Sequence, residues 1–231
     1  MDLKDASASR RVVWAVVACL GLTGGCTSWQ RLTASPKTIA EQKKYGPTAD
    51  QRLEEITADA SRVKAGSSAE QDAFTRLLAE RILAEHDPRV RCGILDVAAD
   101  FDTAAAAAIC RGALEDPDDR VRMAACSAWR KRGGSEAVEL LAARYRADSE
   151  IDVRLRALRE LGELGDKSAV PVLARALEDP DPAVQYRAVG ALKHVSGRDL
   201  GDDVNKWREW AADPDGSSAE WTIAEGFRQL F

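Results

Sequence analysis

Apolar and polar positions alternate along much of this chain with the 3.6-residue period of amphipathic helices. In four segments a valine is followed by further apolar residues four, five and eight places later. These spacings place the apolar side chains on one helical face. The four valines are Val90, Val121, Val153 and Val184, separated by 31, 32 and 31 residues. A pattern that returns at such an interval predicts stacked helix pairs.

Acidic and basic residues recur with the same period as the valines. Acids stand five places before the valines (Glu85, Asp116, Asp148, Asp179) and three places before them (Asp87, Asp118, Glu150, Asp181). Such acids can accept hydrogen bonds from the free amides at a helix start. The residues directly after the valines are Arg91, Arg122, Arg154 and Gln185. We therefore expect an inter-repeat ladder, in which these arginines meet acids of their own or the next turn, such as Asp87, Asp118 and Glu150.

Turn signals divide each repeat into two helices. The turns are predicted at residues 100–102, 133–134 and 165–167, and Thr103, Ser135 and Ser168 are the predicted caps of the second helices. A further helix pair is predicted in the N-terminal helical cap, residues 48–84. There Gly66 ends the first helix, and Ser67 with Glu70 has the spacing of a capping box.

The repeated phrase "DP..VR..A...L" over residues 85–195 resembles the HEAT repeat family, and more closely its short phycobilisome-lyase-type variety. The resemblance implies an all-α fold, an α-solenoid of HEAT-like helix pairs. Residues 196–231 are predicted to form the C-terminal cap and an amphipathic tail. Trp207 and Trp210 lie on the predicted closing helix, where we favour packing on the last repeat over binding a partner.

The amphipathic tail leaves two interpretations open. It either folds back on the solenoid or serves as a docking peptide. Its apolar residues are the candidate partner-binding residues, namely Trp221, Phe227, Leu230 and Phe231.

Residues 1–25 have the layout of a signal peptide. Basic residues precede an 11-residue apolar run, Val12 to Leu22, and small residues lead to Cys26. The run is too short to span a bilayer, which requires about 20 residues. The segment resembles the lipobox of bacterial lipoproteins, although Thr23 stands where leucine is commonest. The resemblance implies lipidation of Cys26 with fatty acids such as palmitate; the alternative is an ordinary signal peptide or an uncleaved anchor.

Export and lipidation would fix the location of the protein. Residues 26–47 are predicted to be a tether between Cys26 and the helices. Two or more acyl chains anchor a protein stably to a membrane. Thr27 and Ser28, rather than aspartate, follow the cysteine, which favours the outer over the inner bacterial membrane, with the protein facing the periplasm.

Composition and side-chain chemistry argue against several other functions. The net charge of −5 and the interleaved acids and bases disfavour a nucleic-acid partner, which requires a concentrated basic face. His86 and His194 are the only histidines, and neither stands in a catalytic pattern. Cys92, Cys110 and Cys126 are expected to pack as small apolar residues. No metal-ligand spacing is present, so no cofactor is predicted apart from the lipid.

We expect a non-enzymatic, membrane-anchored scaffold that binds another envelope protein or peptide on the solenoid face. Two alternatives remain: a phycobilisome-lyase-like enzyme, which would require an accessible histidine or cysteine, and a structural envelope protein that self-associates through its tail. The oligomeric state is left open by the sequence.

Overall fold

The computed structural model describes Lys44 and residues 46–214, and every regular element in those residues is a helix. Residues from Ala49 onward form one unit, and residues 1–48 belong to another. The helices of the unit that starts at Ala49 are α1 (Ala49–Val63), α2 (Ser68–Ala84), α3 (Pro88–Ala98), α4 (Ala104–Gly112), α5 (Asp119–Arg132), α6 (Gly134–Ala147), α7 (Ile151–Leu164), α8 (Val170–Ala176), α9 (Pro182–Ser196) and α10 (Val204–Ala212). Short 3-10 helices follow α4 (Ala113–Glu115) and precede α8 (Lys167–Ala169).

The helices alternate between two layers. Helices α1, α3, α5, α7 and α9 pack side by side in chain order, and we call them the first-helix layer. Helices α2, α4, α6 and α8 form the second-helix layer, and each packs on first helices. Helix α10 packs on both α8 and α9, and so covers the last repeat. The predicted all-α solenoid of helix pairs is therefore confirmed.

The core lies between the two layers and follows the predicted apolar positions. The four repeat valines have no exposed surface: Val90, Val121, Val153 and Val184. The residues four places later are equally buried, and three of them are alanines (Ala125, Ala157, Ala188) that allow adjacent helices to approach closely. Each fully buried valine or leucine stabilises the fold by about 1.5–3 kcal/mol relative to an exposed one.

Two predicted helix starts are confirmed. The hydroxyl of Ser67 accepts from the amide of Glu70, and the Glu70 carboxylate accepts from the amide of Ser67, which completes a capping box before α2. Thr103 caps α4 by accepting a hydrogen bond from the amide of Ala106 at 3.1 Å.

The other two predicted caps are wrong. Helix α6 begins at Gly134, one residue before Ser135, and its N-cap Gly133 forms no side-chain hydrogen bond. Positive φ angles at these two glycines turn the chain directly into the helix. Before α8, Asp166 caps the short 3-10 helix, and its carboxylate accepts from the amide of Ser168 at 2.8 Å. A carboxylate at this place suits the positive end of a helix better than a hydroxyl does. The N-cap residue of α8 itself is Ala169, which forms no side-chain hydrogen bond.

Candidate interaction surface

The loop that enters each first helix is organised by two acids. In the second repeat, Asp116 accepts from the amide of Asp118 at 2.9 Å. Asp118 in turn caps α5 by accepting from the amides of Arg120 and Val121. The first contact recurs at Glu85, Asp148 and Asp179, and the second at Asp87 and Asp181. The periodic acids of the sequence therefore stabilise their own loops in addition to connecting repeats.

The first acid of each loop also receives an arginine from the preceding repeat. Arg91 donates through Nε and Nη2 to the two carboxylate oxygens of Asp116 at 2.9 and 2.8 Å. Arg122 binds Asp148 in the same bidentate way, at 2.8 and 3.0 Å. Arg154 pairs with Asp179. Two parallel bonds to a carboxylate fix orientation as well as distance, so each pair sets how one repeat sits on the next.

The ladder therefore connects repeats, but its acids differ from the expected ones. Asp87 and Asp118 cap helices α3 and α5, and Glu150 has no ion pair among the described residues. The reason is the position of each acid in its loop. The N-cap acid faces the amides of its own helix, whereas the acid two residues earlier faces the preceding repeat.

Asp148 shows the electrostatic effect of this arrangement. Burial raises the pKa of its carboxyl, but hydrogen bonds from Arg122 and from the amide of Glu150 outweigh burial, and the pKa falls below its ordinary value. Arg144 adds a further contact at 3.2 Å. The carboxylate is thus held in its charged form while almost completely buried.

The ladder begins at a place that the sequence pattern did not show and ends where glutamine replaces the periodic arginine. It begins in α1, where Arg52 binds Glu85 at 3.0 and 3.1 Å. The N-terminal pair is therefore joined to the first repeat by the same contact that joins the repeats. It ends at Gln185, whose amide donates to the carbonyl of Asp179 at 2.7 Å. Arg122 makes the equivalent bond to the Asp116 carbonyl, so the glutamine keeps the local bond and lacks the bond to a next repeat.

A second ionic cluster joins α5 to α7. Glu160 is buried, and its carboxylate receives Arg130 at 2.7 Å and Arg156 at 3.4 Å. The hydroxyl of Ser127 donates to it at 3.0 Å. No repeat signal marks Glu160, because the other copies carry no acid at that position.

The solvent side of the first-helix layer changes character along the molecule. Helix α1 carries mainly acids: Asp50, Glu54, Glu55 and Asp59. In α5, α7 and α9 the basic residues outside the ladder are Arg120, Arg130, Lys131, Arg132, Arg156, Arg159, Arg187 and Lys193, whereas the acids are Asp119, Asp152, Glu160 and Glu163. Five of these eight basic residues are paired with acids: Arg130 and Arg156 with Glu160, Lys131 with Asp100, Arg132 with Asp102 and Lys193 with Asp202. Arg120, Arg159 and Arg187 are exposed. The face formed by α5, α7 and α9, the basic face below, therefore carries more basic than acidic residues although the chain as a whole is acidic.

A groove of about 280 Å³ opens on this basic face between α7 and α9. Its lining includes Arg159 and Glu163 of α7 and Tyr186, Arg187 and Gly190 of α9. Sequence analysis did not identify it, because its residues come from two repeats and follow no repeated pattern.

Of the cysteines and histidines in residues 46–214, His194 alone lines this groove. Cys110 and Cys126 are buried, and Cys92 is partly buried. Burial raises the pKa of Cys110 to about 11 and that of Cys126 to about 12, so both thiols stay protonated and poorly nucleophilic. His86 is exposed in a loop, and His194 is exposed on α9 beside the groove.

The tryptophans of the closing helix pack inward. Trp207 has no exposed surface, donates to the carbonyl of Gly201 at 2.8 Å and meets Trp210 edge-on with ring centroids 5.6 Å apart. The other predicted sites lie outside the described residues. These are the lipidation site Cys26, the signal peptide and tether, and the tail candidates Trp221, Phe227, Leu230 and Phe231.

Residues 46–214 contain neither a candidate membrane-spanning helix nor a candidate metal site. None of the helices there is both long and apolar enough to cross a bilayer. The same residues contain no cluster of three or more histidine, cysteine or acidic side chains arranged to hold a metal ion.

A repeating two-helix unit joined by an arginine–aspartate ladder defines an α-solenoid. Comparison with known families agrees: residues 75–154 and 141–225 match the HEAT repeats family. The chain therefore belongs to the HEAT-repeat proteins, whose stacked helix pairs form scaffolds for protein interactions. No curated protein matches the chain.

Proposed function

We propose that this protein is a membrane-anchored, non-enzymatic interaction scaffold of the bacterial cell envelope, and that it binds another envelope protein through the basic face. The observation that carries the proposal is that the first helices have two separate sets of basic residues. Their ladder residues face neighbouring repeats, while other basic residues such as Arg120, Arg159 and Arg187 are exposed. A rigid layer with exposed arginines suits the recognition of a partner, because arginine is enriched where interfaces gain most of their affinity.

The absence of enzymatic activity is part of this proposal, and the state of the thiols supports it. The raised pKa values of Cys110 and Cys126 leave little thiolate at neutral pH. His86 lies in a loop whose acids are already bound to amides and arginine. A lyase of the phycobilisome type would require one of these groups to be free and reactive.

The membrane anchor is the second part of the proposal and rests on the sequence alone. Residues 1–25 combine basic, apolar and small residues directly before Cys26. Acylation at Cys26 would hold the scaffold at the membrane, and Thr27 and Ser28 favour the outer membrane. Labelled palmitate supplied to cells should enter the wild-type protein and be absent from Cys26→Ser. Equal labelling of the two proteins would contradict an anchor at this cysteine.

Site-specific photo-cross-linking tests the binding face. A photoreactive amino acid is placed in the full-length chain at Arg120 or Met123 on the first-helix layer, and at Glu139 or Arg146 on the second. Because only the first layer is proposed to bind, both of its positions should give the same cross-linked partner in native membranes, and the second-layer positions should not. Cross-links of equal yield from both layers, or from neither, would overturn the assignment.

A further inference from the structure

The groove between α7 and α9 owes its shape to two glycines. A Cβ atom on Gly162 would lie 2.6 Å from the Cα of Ala191, so the backbones of the two helices touch there. A Cβ on Gly190 would meet no atom within 4 Å. Close approach at one glycine and an empty position at the other leave a depression between the long side chains of Arg159 on α7 and Arg187 on α9.

The charged groups of the groove are only partly paired. Lys193 is held by Asp202 at 2.7 Å and by Asp199 at 3.5 Å. Within residues 46–214, neither Arg159 nor Arg187 forms an ion pair. Glu163 has none there either, so two guanidinium groups stand against one carboxylate. Among the residues that line the groove, Arg159, Arg187 and Lys193 face two acids, Glu163 and Asp202. The lining therefore has an excess of one positive charge, in a chain whose net charge is −5.

Size and an exposed aromatic ring narrow the class of ligand. At about 280 Å³ the groove is at the lower end of the range of about 300–1,000 Å³ that is usual for cofactors and other small-molecule ligands. It has room for one or two side chains of a peptide. Tyr186 is 66% exposed beside it, and tyrosine and arginine are the side chains that most often dominate protein interfaces.

We propose that this groove binds an acidic segment of a partner polypeptide, with a glutamate or aspartate side chain between Arg159 and Arg187 and with Tyr186 covering it. Arginine is suited to this role because its planar donors match a carboxylate in a bidentate arrangement. The inference rests on the proposed function, since it identifies the kind of partner that the basic face takes.

Titration of a peptide against the purified full-length chain tests the groove directly. The probe is a fluorescein-labelled peptide that alternates glutamate and glycine, and its control has glutamine in place of glutamate. We expect fluorescence anisotropy to show binding of the acidic peptide and at least about tenfold weaker binding of the glutamine peptide. Equal affinity for the two peptides would overturn the proposal.

Matched variants separate the groove from overall charge. The double variant Arg159→Ala with Arg187→Ala should bind the acidic peptide at least about fivefold more weakly. The control, Arg146→Ala with Arg175→Ala, removes the same charge from exposed positions on α6 and α8 and should bind like the wild type. If both pairs weaken binding equally, the effect is one of net charge and the groove is not the site.

Filling the groove gives a test that leaves the charge unchanged. Gly190→Leu projects into empty space, so the fold should persist, as circular dichroism would verify, while peptide affinity falls about fivefold or more. Unchanged affinity in this folded variant contradicts binding inside the groove. Succinate that displaces the peptide at the peptide's own half-saturating concentration would assign the groove to small dicarboxylates and would also overturn the proposal.

The two proposals can fail separately. If the groove variants lose the peptide but the first-layer cross-links are absent, the groove binds acidic segments and the scaffold assignment fails. If the first-layer cross-links persist unchanged in Arg159→Ala with Arg187→Ala and the peptide does not bind, the scaffold assignment stands and the groove inference is wrong.

Discussion

Adjacent repeats are linked by different contacts in the two layers of this solenoid. Adjacent repeats in the first-helix layer are linked by bidentate ion pairs, such as Arg122 with Asp148, that are almost fully buried. In the second layer, Arg144 donates to the carbonyl of Leu114 at 2.7 Å and pairs with the exposed carboxylate of Glu115, and the half-exposed pair of Arg111 and Glu136 links α4 to α6. Arg208 of the closing helix α10 donates to the carbonyl of Leu177 at 2.7 Å. The more deeply buried ion pairs between repeats therefore lie in the first-helix layer, which is the layer proposed to bind the partner.

The largest effect is expected where the first layer is broken. Asp148→Ala removes the acceptor of two arginines and leaves Arg122 without a carboxylate, whereas Arg144 keeps its ion pair with Glu115. Loss of one partner from a buried ion pair costs about 3–5 kcal/mol, and the remaining exposure of Arg122 places the expected loss at the lower end. Urea unfolding followed by circular dichroism would measure it.

An ion pair of the second layer supplies the control. Arg111 and Glu136 link α4 to α6, and each side chain is about half exposed. Exposed pairs contribute at most about 1 kcal/mol, so the free energy of unfolding of Glu136→Ala should differ from that of the wild type by no more than this amount. Equal losses in Asp148→Ala and Glu136→Ala would show that the layers do not differ in the way proposed.

An intermediate effect is expected at the closest contact between first helices. Gly162→Ala forces a methyl group against the backbone of Ala191, and overpacking of this kind costs about 1–3 kcal/mol. Gly190→Ala, on the facing helix, meets open space and should raise the free energy of unfolding by about 0.5–1 kcal/mol, because alanine favours a helix over glycine. Thermal denaturation of the two variants should therefore shift in opposite directions; a shared direction would contradict the contact.

The last effect concerns the core that the layers share; it is absent at neutral pH and appears only at high pH. A thiol ionises near pH 8.5 in an unfolded chain, whereas burial raises the pKa of Cys126 to about 12. Its folded-state pKa is raised, so the stability it contributes is complete below about pH 8.5 and is lost as the pH rises toward 12. The loss is about 1.4 kcal/mol per pH unit.

Cys126→Val should remove that part of the alkaline loss. Valine or leucine already stands at this position in other repeats, as Val189 and Leu158. Urea midpoints measured under reducing conditions between about pH 9 and pH 11 should fall less steeply in the variant than in the wild type. Parallel slopes would mean that the Cys126 thiol ionises in the folded protein as readily as in the unfolded chain.

Sequence reasoning was most successful where one residue type recurs in one environment. The valines and their apolar followers predicted the buried faces, because a helical period leaves few alternatives for Val121 or Leu158. It was less successful with polar side chains. Ser135 and Ser168 are residues of a type that often caps helices, but Gly133 and Asp166 occupy the N-cap positions. Backbone torsion and loop geometry decide which side chain faces the free amides.

The sequence by itself determined the repeating helix pairs, because burial of an apolar stripe depends only on spacing along the chain. Only the tertiary structure decided that Arg91 selects Asp116 over Asp87, and that Arg159 and Arg187 flank one groove. Both facts depend on how helices distant in sequence stack, and several carboxylates lie within reach of each arginine until that stacking is known. Periodicity determines which side of a helix is buried, whereas the neighbouring repeat determines which carboxylate each ladder arginine binds.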